Sequence, residues 1–174
     1  DDGTGNVVTY FHCDGSSAGS GFTVTLWTDN NQIGLGTGKD LRIYHQSSDN
    51  TSRIQNLTND LVIVNDANDG DIILKTDNGS GGNTAYITLD GSETRTVIAK
   101  AMRFNDNTSL QIGGSADFSI HHDGGNTLVQ NITGHLYFYQ KADDSDITFF
   151  CDDGSGGNTE YFRIDGGVEY MIAS

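Results

Sequence analysis

Proline is absent from all 174 residues. Its absence removes Pro-rich linkers and polyproline recognition from consideration. Cysteine is scarce: Cys13 and Cys151 are too few for a disulfide scaffold. Both stand among apolar strand residues, where a buried free thiol is expected. Basic residues are few, with nine Lys and Arg against 24 Asp and Glu, for a formal net charge of −15. A surface of that sign repels phosphate backbones and anionic lipid headgroups, so neither nucleic acid nor a membrane surface is an expected partner. No apolar run is long enough to span a bilayer, and no membrane insertion is expected. No signal peptide is visible after the opening Asp1-Asp2-Gly3. Hydrophobic residues make up only 34% of the chain, below the share of a compact globular domain.

What remains is β material. Val, Ile, Leu, Tyr and Phe come in short runs such as "DLRIYH", "DLVIV", "DIILKT", "TAYITL", "SLQIG", "DFSIHH", "HLYFY" and "DITFF". Most place apolar residues at alternate positions, as with Leu41 and Ile43 or Phe118 and Ile120. Clusters of Gly, Asn, Asp and Ser separate them, supplying turn geometry. Strand starts recur about every 8–12 residues, the spacing of an all-β chain, and no window carries helical periodicity. An Asp precedes many strands (Asp40, Asp60, Asp71, Asp117 and Asp146). There its carboxylate can accept a turn amide, and its charge discourages aberrant strand pairing.

The chain repeats itself. "DNGSGGNTAYITLDG" at residues 77–91 returns as "DDGSGGNTEYFRIDG" at 152–166, 75 residues later and without a gap. A looser copy, "DDGTGNVVTYFHCDG", opens the chain at residues 1–15. "DLRIYHQ" from Asp40 matches "DFSIHHD" from Asp117, and "WTDN" at Trp27 matches "FNDN" at Phe104. "RIQNLTNDLVI" from Arg53 matches "LVQNITGHLYF" from Leu128. The step is 77 residues before the hairpin and 75 after it, which locates a two-residue shortening between His122 and Leu128. Residues 1–37 read as the end of one repeat and the start of the next, 38–112 as a full repeat and 113–174 as an incomplete one. The expectation is a window cut from a longer repetitive protein.

Such strands do not hold themselves. Two buried apolar side chains supply about 3–6 kcal/mol, whereas fixing five backbone residues costs about 5–10 kcal/mol. Each net hydrogen bond returns only about 0.5–1.5 kcal/mol. Stacking on neighbouring repeats, or on identical chains, has to supply the difference. The expected fold is therefore all-β: an elongated repetitive β structure, either β-solenoid-like or a trimeric interwoven fibre, with short strands, Gly/Asn/Asp turns and no substantial helix. Three chains are preferred, because two inward residues per strand make a poor core for one.

Candidate chemistry is sparse. His45 and His122 are repeat equivalents, with His121 adjacent; copies meeting on an axis would bring imidazoles together for a metal, but half-buried turn histidines are the simpler expectation. "NDANDGD" at 65–71 misses calcium-loop spacing, because Gly70 falls one position early, and reads as a surface turn. The glycine stretches lack the Lys-Ser/Thr and the helix of a phosphate loop. They read as wide turns needing positive φ. No carboxylate pair is singled out, and the two cysteines occupy non-equivalent positions, so no catalytic, cofactor or metal residue is assigned and the chain is not expected to be an enzyme. Tyr44, Tyr86, Tyr137, Tyr139 and Tyr161 would form a sugar-stacking strip if they faced outward, and alternation places about half of them inward.

The phrases "DLRIYHQSSDNTSRIQN", "DFSIHHDGGNTLVQN", "GDIILKTDNGSGG" and "DDGSGGNTEYFRIDG" together resemble the repetitive shafts of marine bacteriophage tail fibres, cyanophage fibres especially. The first departs from the family phrase, with Gln46-Ser47-Ser48-Asp49 where "DG" is usual. The resemblance spans nearly the whole chain. It implies a homotrimeric, extracellular virion component, joined to other tail proteins. Its role would be attachment to a host surface glycan or outer-membrane receptor, without a cofactor. In that setting Asn-x-Ser/Thr sequons such as those at Asn50, Asn56, Asn107 and Asn131 are coincidental. The alternatives are a polysaccharide-degrading tailspike-like β-solenoid and a secreted bacterial adhesin with calcium-dependent repeats. The adhesin reading lacks a consistent Gly-Gly-x-Gly-x-Asp pattern.

Overall fold

The computed structural model describes residues 3–14, 24–168 and 170–173. Among them there is no helix; every regular element is a strand. The chain divides into two units, Asp1–Ala99 and Lys100–Ser174. That division falls inside the 38–112 repeat, since a periodic sequence can be cut at any phase.

The first unit opens with an antiparallel pair, β1 (Phe11–Asp14) and β2 (Val24–Trp27). Phe11 and Trp27 are register partners, and their rings stack at 5.1 Å. A three-stranded meander follows: β3 (Gln32–Leu35), β4 (Leu41–Gln46) and β5 (Thr51–Asn56). A second meander comprises β6 (Ile72–Asp77), β7 (Asn83–Asp90) and β8 (Arg95–Ile98). The second unit contains the same two meanders. The first is β9 (Leu110–Ile112), β10 (Phe118–His122) and β11 (Thr127–Asn131). The second is β12 (Ile147–Asp152), β13 (Asn158–Asp165) and β14 (Tyr170–Ala173).

All of the pairings are antiparallel between strands adjacent in sequence. This removes the solenoid arrangement among the described residues. A solenoid stacks parallel rungs, whereas here tight turns send each strand straight back beside its predecessor. Lys39 and Ala116 close equivalent β3–β4 and β9–β10 turns at φ 58 and 55, their amides donating to Gly36 and Gly113 carbonyls at 3.0 and 3.2 Å. The predicted hairpin over 40–56 forms, with Tyr44 opposite Arg53 and Gln46 opposite Thr51.

The hairpins also explain the two-residue shortening. In the first copy Ser47–Asn50 make a four-residue turn beyond the Gln46–Thr51 pair. In the second, Asp123 donates its amide to Asn126 O at 3.0 Å, leaving Gly124-Gly125 as a two-residue turn. Gly124 sits at φ +96, a conformation that glycine tolerates and a β-carbon resists. The register is restored immediately: Leu57 N donates to Asp40 O at 2.8 Å, and Ile132 N to Asp117 O at 2.9 Å.

The repeat at 77–91 and 152–166 persists atom by atom. A bulge falls between Leu74 and Lys75 in β6, and between Phe149 and Phe150 in β12. The residue skipped on the partner strand is Tyr86 or Tyr161, whose hydroxyls donate to Asp77 O and Asp152 O at 3.1 and 3.2 Å. Asp71 and Asp146 accept the amides of Gly91 and Gly166, each at 3.0 Å, which is the turn-amide role expected of an Asp before a strand.

Burial departs from expectation. Among the described residues no hydrophobic side chain is buried; Ser119, at 9% exposure, is the one buried residue. Two predicted strands are also not strands. "DLVIV" and "HLYFY" contain no turn or bend but stay unpaired, because neither finds a neighbouring strand among the described residues. Cys151 is exposed on β12 and not buried, for want of an interior to receive it. The side chain of Cys13 lies outside the described residues.

Candidate interaction surface

Each first meander forms one wall of an open apolar cleft. In the first unit the cleft measures about 400 Å³, with Trp27, Ile33, Ile43, His45 and Ile54 among its lining residues. In the second it measures about 240 Å³, and the equivalents Phe104, Leu110, Ile120 and His122 take part. The equivalence follows from β-strand periodicity, which sends Ile43 and Ile120 to the same sheet face at matched register positions. The lining is apolar and open to solvent. It suits contact with other apolar groups.

The histidines are held by hydroxyls. His45 Nδ1 lies 3.1 Å from Ser52 Oγ and His122 Nδ1 lies 3.3 Å from Thr127 Oγ1, both across the hairpin. His121 is half-buried, and its Nδ1 has no hydrogen-bond partner among the described residues. No three His, Cys, Asp or Glu side chains converge among those residues.

The glycine loops bind their own side chains. Asp77 accepts the Gly79 amide at 2.7 Å, and Asn78 Oδ1 accepts those of Ser80 and Gly82 at 2.8 and 3.2 Å. In the second copy Asp152 accepts Gly154, while Asp153 accepts Ser155 and Gly157 at 2.7 and 3.1 Å. The amides that would greet a phosphate are already occupied. The 65–71 segment is likewise a self-closed turn: Asn65 Oδ1 accepts Ala67 N and its Nδ2 donates to Asp71 O, each at 3.0 Å.

Several carboxylates are acidified by these turns. Backbone amides of Ser155 and Gly157 hold Asp153 below the ordinary carboxylate range, and those of Asn126 and Gly125 do the same for Asp123. Asp90 is lowered chiefly by the Glu93 amide, and Asp49 by the Thr51 hydroxyl with Arg53 close by. Asp49 and Arg53 form an ion pair across the hairpin turn. The acidic surface is thus partly structural, with charge committed to turn closure.

Four of the five tyrosines singled out from sequence are exposed: Tyr86, Tyr137, Tyr139 and Tyr161. Only Tyr44 is half-buried, donating to Gln55 Oε1 at 3.1 Å beneath Arg53. The expected half-inward distribution fails because the described residues enclose no interior. Sequence reasoning singled out the apolar segments at 61–64 and 136–139 but read them as strands, and missed that they stand unpaired and exposed. Their signal was four consecutive apolar residues with no polar alternate, the pattern of a strand covered on both faces. No protein-family model, curated protein or solved structure matches this chain.

Proposed function

We propose that this chain is a structural and adhesive segment of a viral tail fibre, assembled as a homotrimer and used in attachment to a host cell surface. The observation that carries the reading is the missing interior. The chain exposes 13889 Å², where a globular protein of its mass would expose roughly 8,300 Å². Antiparallel meanders with no buried apolar side chain are not stable alone in water, so other copies are the natural source of a core. Tandem repetition of the same two meanders suits a shaft, in which each unit meets its counterparts at the same level. The number three and the viral setting come from the resemblance of the repeats to phage fibre shafts. The acidic exterior keeps such an assembly soluble and resists lateral aggregation. The exposed turns and rings offer the contact surface for a host glycan or receptor.

Molar mass in solution by light scattering tests the assembly. The expected value is about three times the 18.7 kDa chain mass, with a band that resists SDS until boiled. A folded, cooperatively melting species at 18.7 kDa would overturn it.

A further inference from the structure

We propose that Leu61–Val64 and Leu136–Tyr139 are inter-chain strands, each lying parallel and in register beside the same run of neighbouring copies of this chain. The inference rests on the oligomeric reading above and names the segments that carry it.

Neither run contains a turn or bend. Tyr137 and Tyr139 stack at 5.7 Å, and His135 meets Tyr137 edge-on at 5.8 Å, so alternate residues share a side as in a strand. Neither run joins a sheet, and no hydrogen bond reaches residues 61–64 or 136–139 among the described residues. All four side chains of each are apolar-bodied and open: Val62 is 77% exposed and Phe138 is 70% exposed. Charge stops at the borders, with Asp60 before the first run, Asp66 beyond it, and Lys141 beyond the second, its Nζ 5.8 Å from the Tyr139 ring. A strand apolar on both faces belongs to sheet that is covered on both sides, the habit of parallel pairing. Nothing among the described residues covers these runs: Ile63 and Val64 border an open cavity of about 430 Å³ beside Leu89 and Thr96.

The occupant is a second copy for three reasons. Every side chain of both runs is open, from Leu136 at 45% to Val62 at 77% exposure, so each run offers an uncovered apolar face to a neighbour. The first run is branched aliphatic and the second aromatic, so a copy in register offers each run a partner of its own kind, which one foreign segment would not. A sugar platform would need rings at both sites, and the first run has none. Parallel alignment follows, because only parallel pairing in register sets every residue of a run beside its own counterpart, whereas antiparallel pairing does so for at most one residue.

The test is disulfide trapping in the full chain with Cys13→Ser and Cys151→Ser. Val62→Cys and Phe138→Cys are introduced singly, then oxidised by air with a copper–phenanthroline catalyst. Parallel neighbours about 4.8 Å apart satisfy disulfide reach, so each variant is expected to give covalent dimers on a non-reducing gel, whereas Ser48→Cys gives none. The double variant Val62→Lys/Phe138→Lys is expected to associate at least tenfold more weakly, with the strand signal in circular dichroism lost as the copies separate on dilution. An oligomeric wild type whose 62 and 138 variants fail to cross-link overturns this inference and leaves the oligomer standing. Cross-linking only between positions 62 and 138, in a chain carrying both cysteines, overturns the parallel register. A monomeric wild type overturns the oligomer itself.

Discussion

The two copies of the repeat agree in their turns and differ in their faces. Asp71 and Asp146 clamp the same glycine amide, Tyr86 and Tyr161 fill the same bulge, and Asn56 and Asn131 tie the same two carbonyls, those of residues 58 and 59 or 133 and 134. On the strand faces the partners are exchanged freely. Leu74 beside Ile87 becomes Phe149 stacked on Phe162 at 4.2 Å, and the Tyr44–Arg53 pair becomes His121–Leu128. Thr88 becomes Arg163, which reaches Asp146, Glu160 and Asp165 at 3.4, 3.8 and 3.2 Å. Position-specific turn chemistry with tolerant faces is what a chain lacking its own core requires. The turns determine where each strand lies, and the faces need only be apolar enough for whatever covers them.

The sharpest way to break the comparison is to crowd the shared turn. A β-carbon on Gly91 would meet Gly70 O at 2.5 Å, and one on Gly166 would run into Ser145 O. Gly91→Ala and Gly166→Ala should each destabilise by about 2 kcal/mol, read as faster amide exchange in the affected meander. Gly79→Ala meets open space and faces only its φ of +81, for about 1 kcal/mol. Equal losses at all three positions would mean that the close approach is unimportant.

Removing the clamp comes next. Asp71→Ala deletes one hydrogen bond, for about 1 kcal/mol. Asp146→Ala deletes the same bond and also strips Arg163 of a partner, so it should cost slightly more, with the surplus of about 0.5 kcal/mol fading in high salt. Thermal melts of both variants at low and high ionic strength measure the difference. An identical salt response would show that Arg163 adds nothing.

The smallest effect is a pH contrast between the glycine loops. Asp153 is held below its ordinary range by the Ser155 and Gly157 amides. Its folded value is depressed, so its contribution is full above the unfolded value of about 3.9 and is lost as pH falls through the folded one. Asn78 makes the same bonds without titrating. Below about pH 4, amide exchange or chemical shifts at Ser155 and Gly157 should respond, whereas those at Ser80 and Gly82 stay constant. A matched response in both loops would refute the assignment.

Much of the local structure was legible in the residues. The repeat, the all-strand character and the 40–56 hairpin rest on contacts among near neighbours, and turn chemistry announces itself in Gly, Asn and Asp; the Asp before a strand also pointed to a turn amide, although its partner lies 20 residues away. The strands read at 60–64 and 135–139 failed because alternation and apolar runs report what a segment would be if partnered. They do not report whether a partner is present. Cys151 was misjudged for the same cause, since its apolar neighbours turned out to cover nothing.

By itself, then, the sequence determined a β chain written twice, with most of its turns held by side chains within a few residues of them. The tertiary structure alone decided that these turns and strands enclose no interior and that two apolar runs are left without a neighbour. The physical reason is range: a turn closes through hydrogen bonds between residues close in sequence, whereas burial depends on which surfaces meet across the molecule.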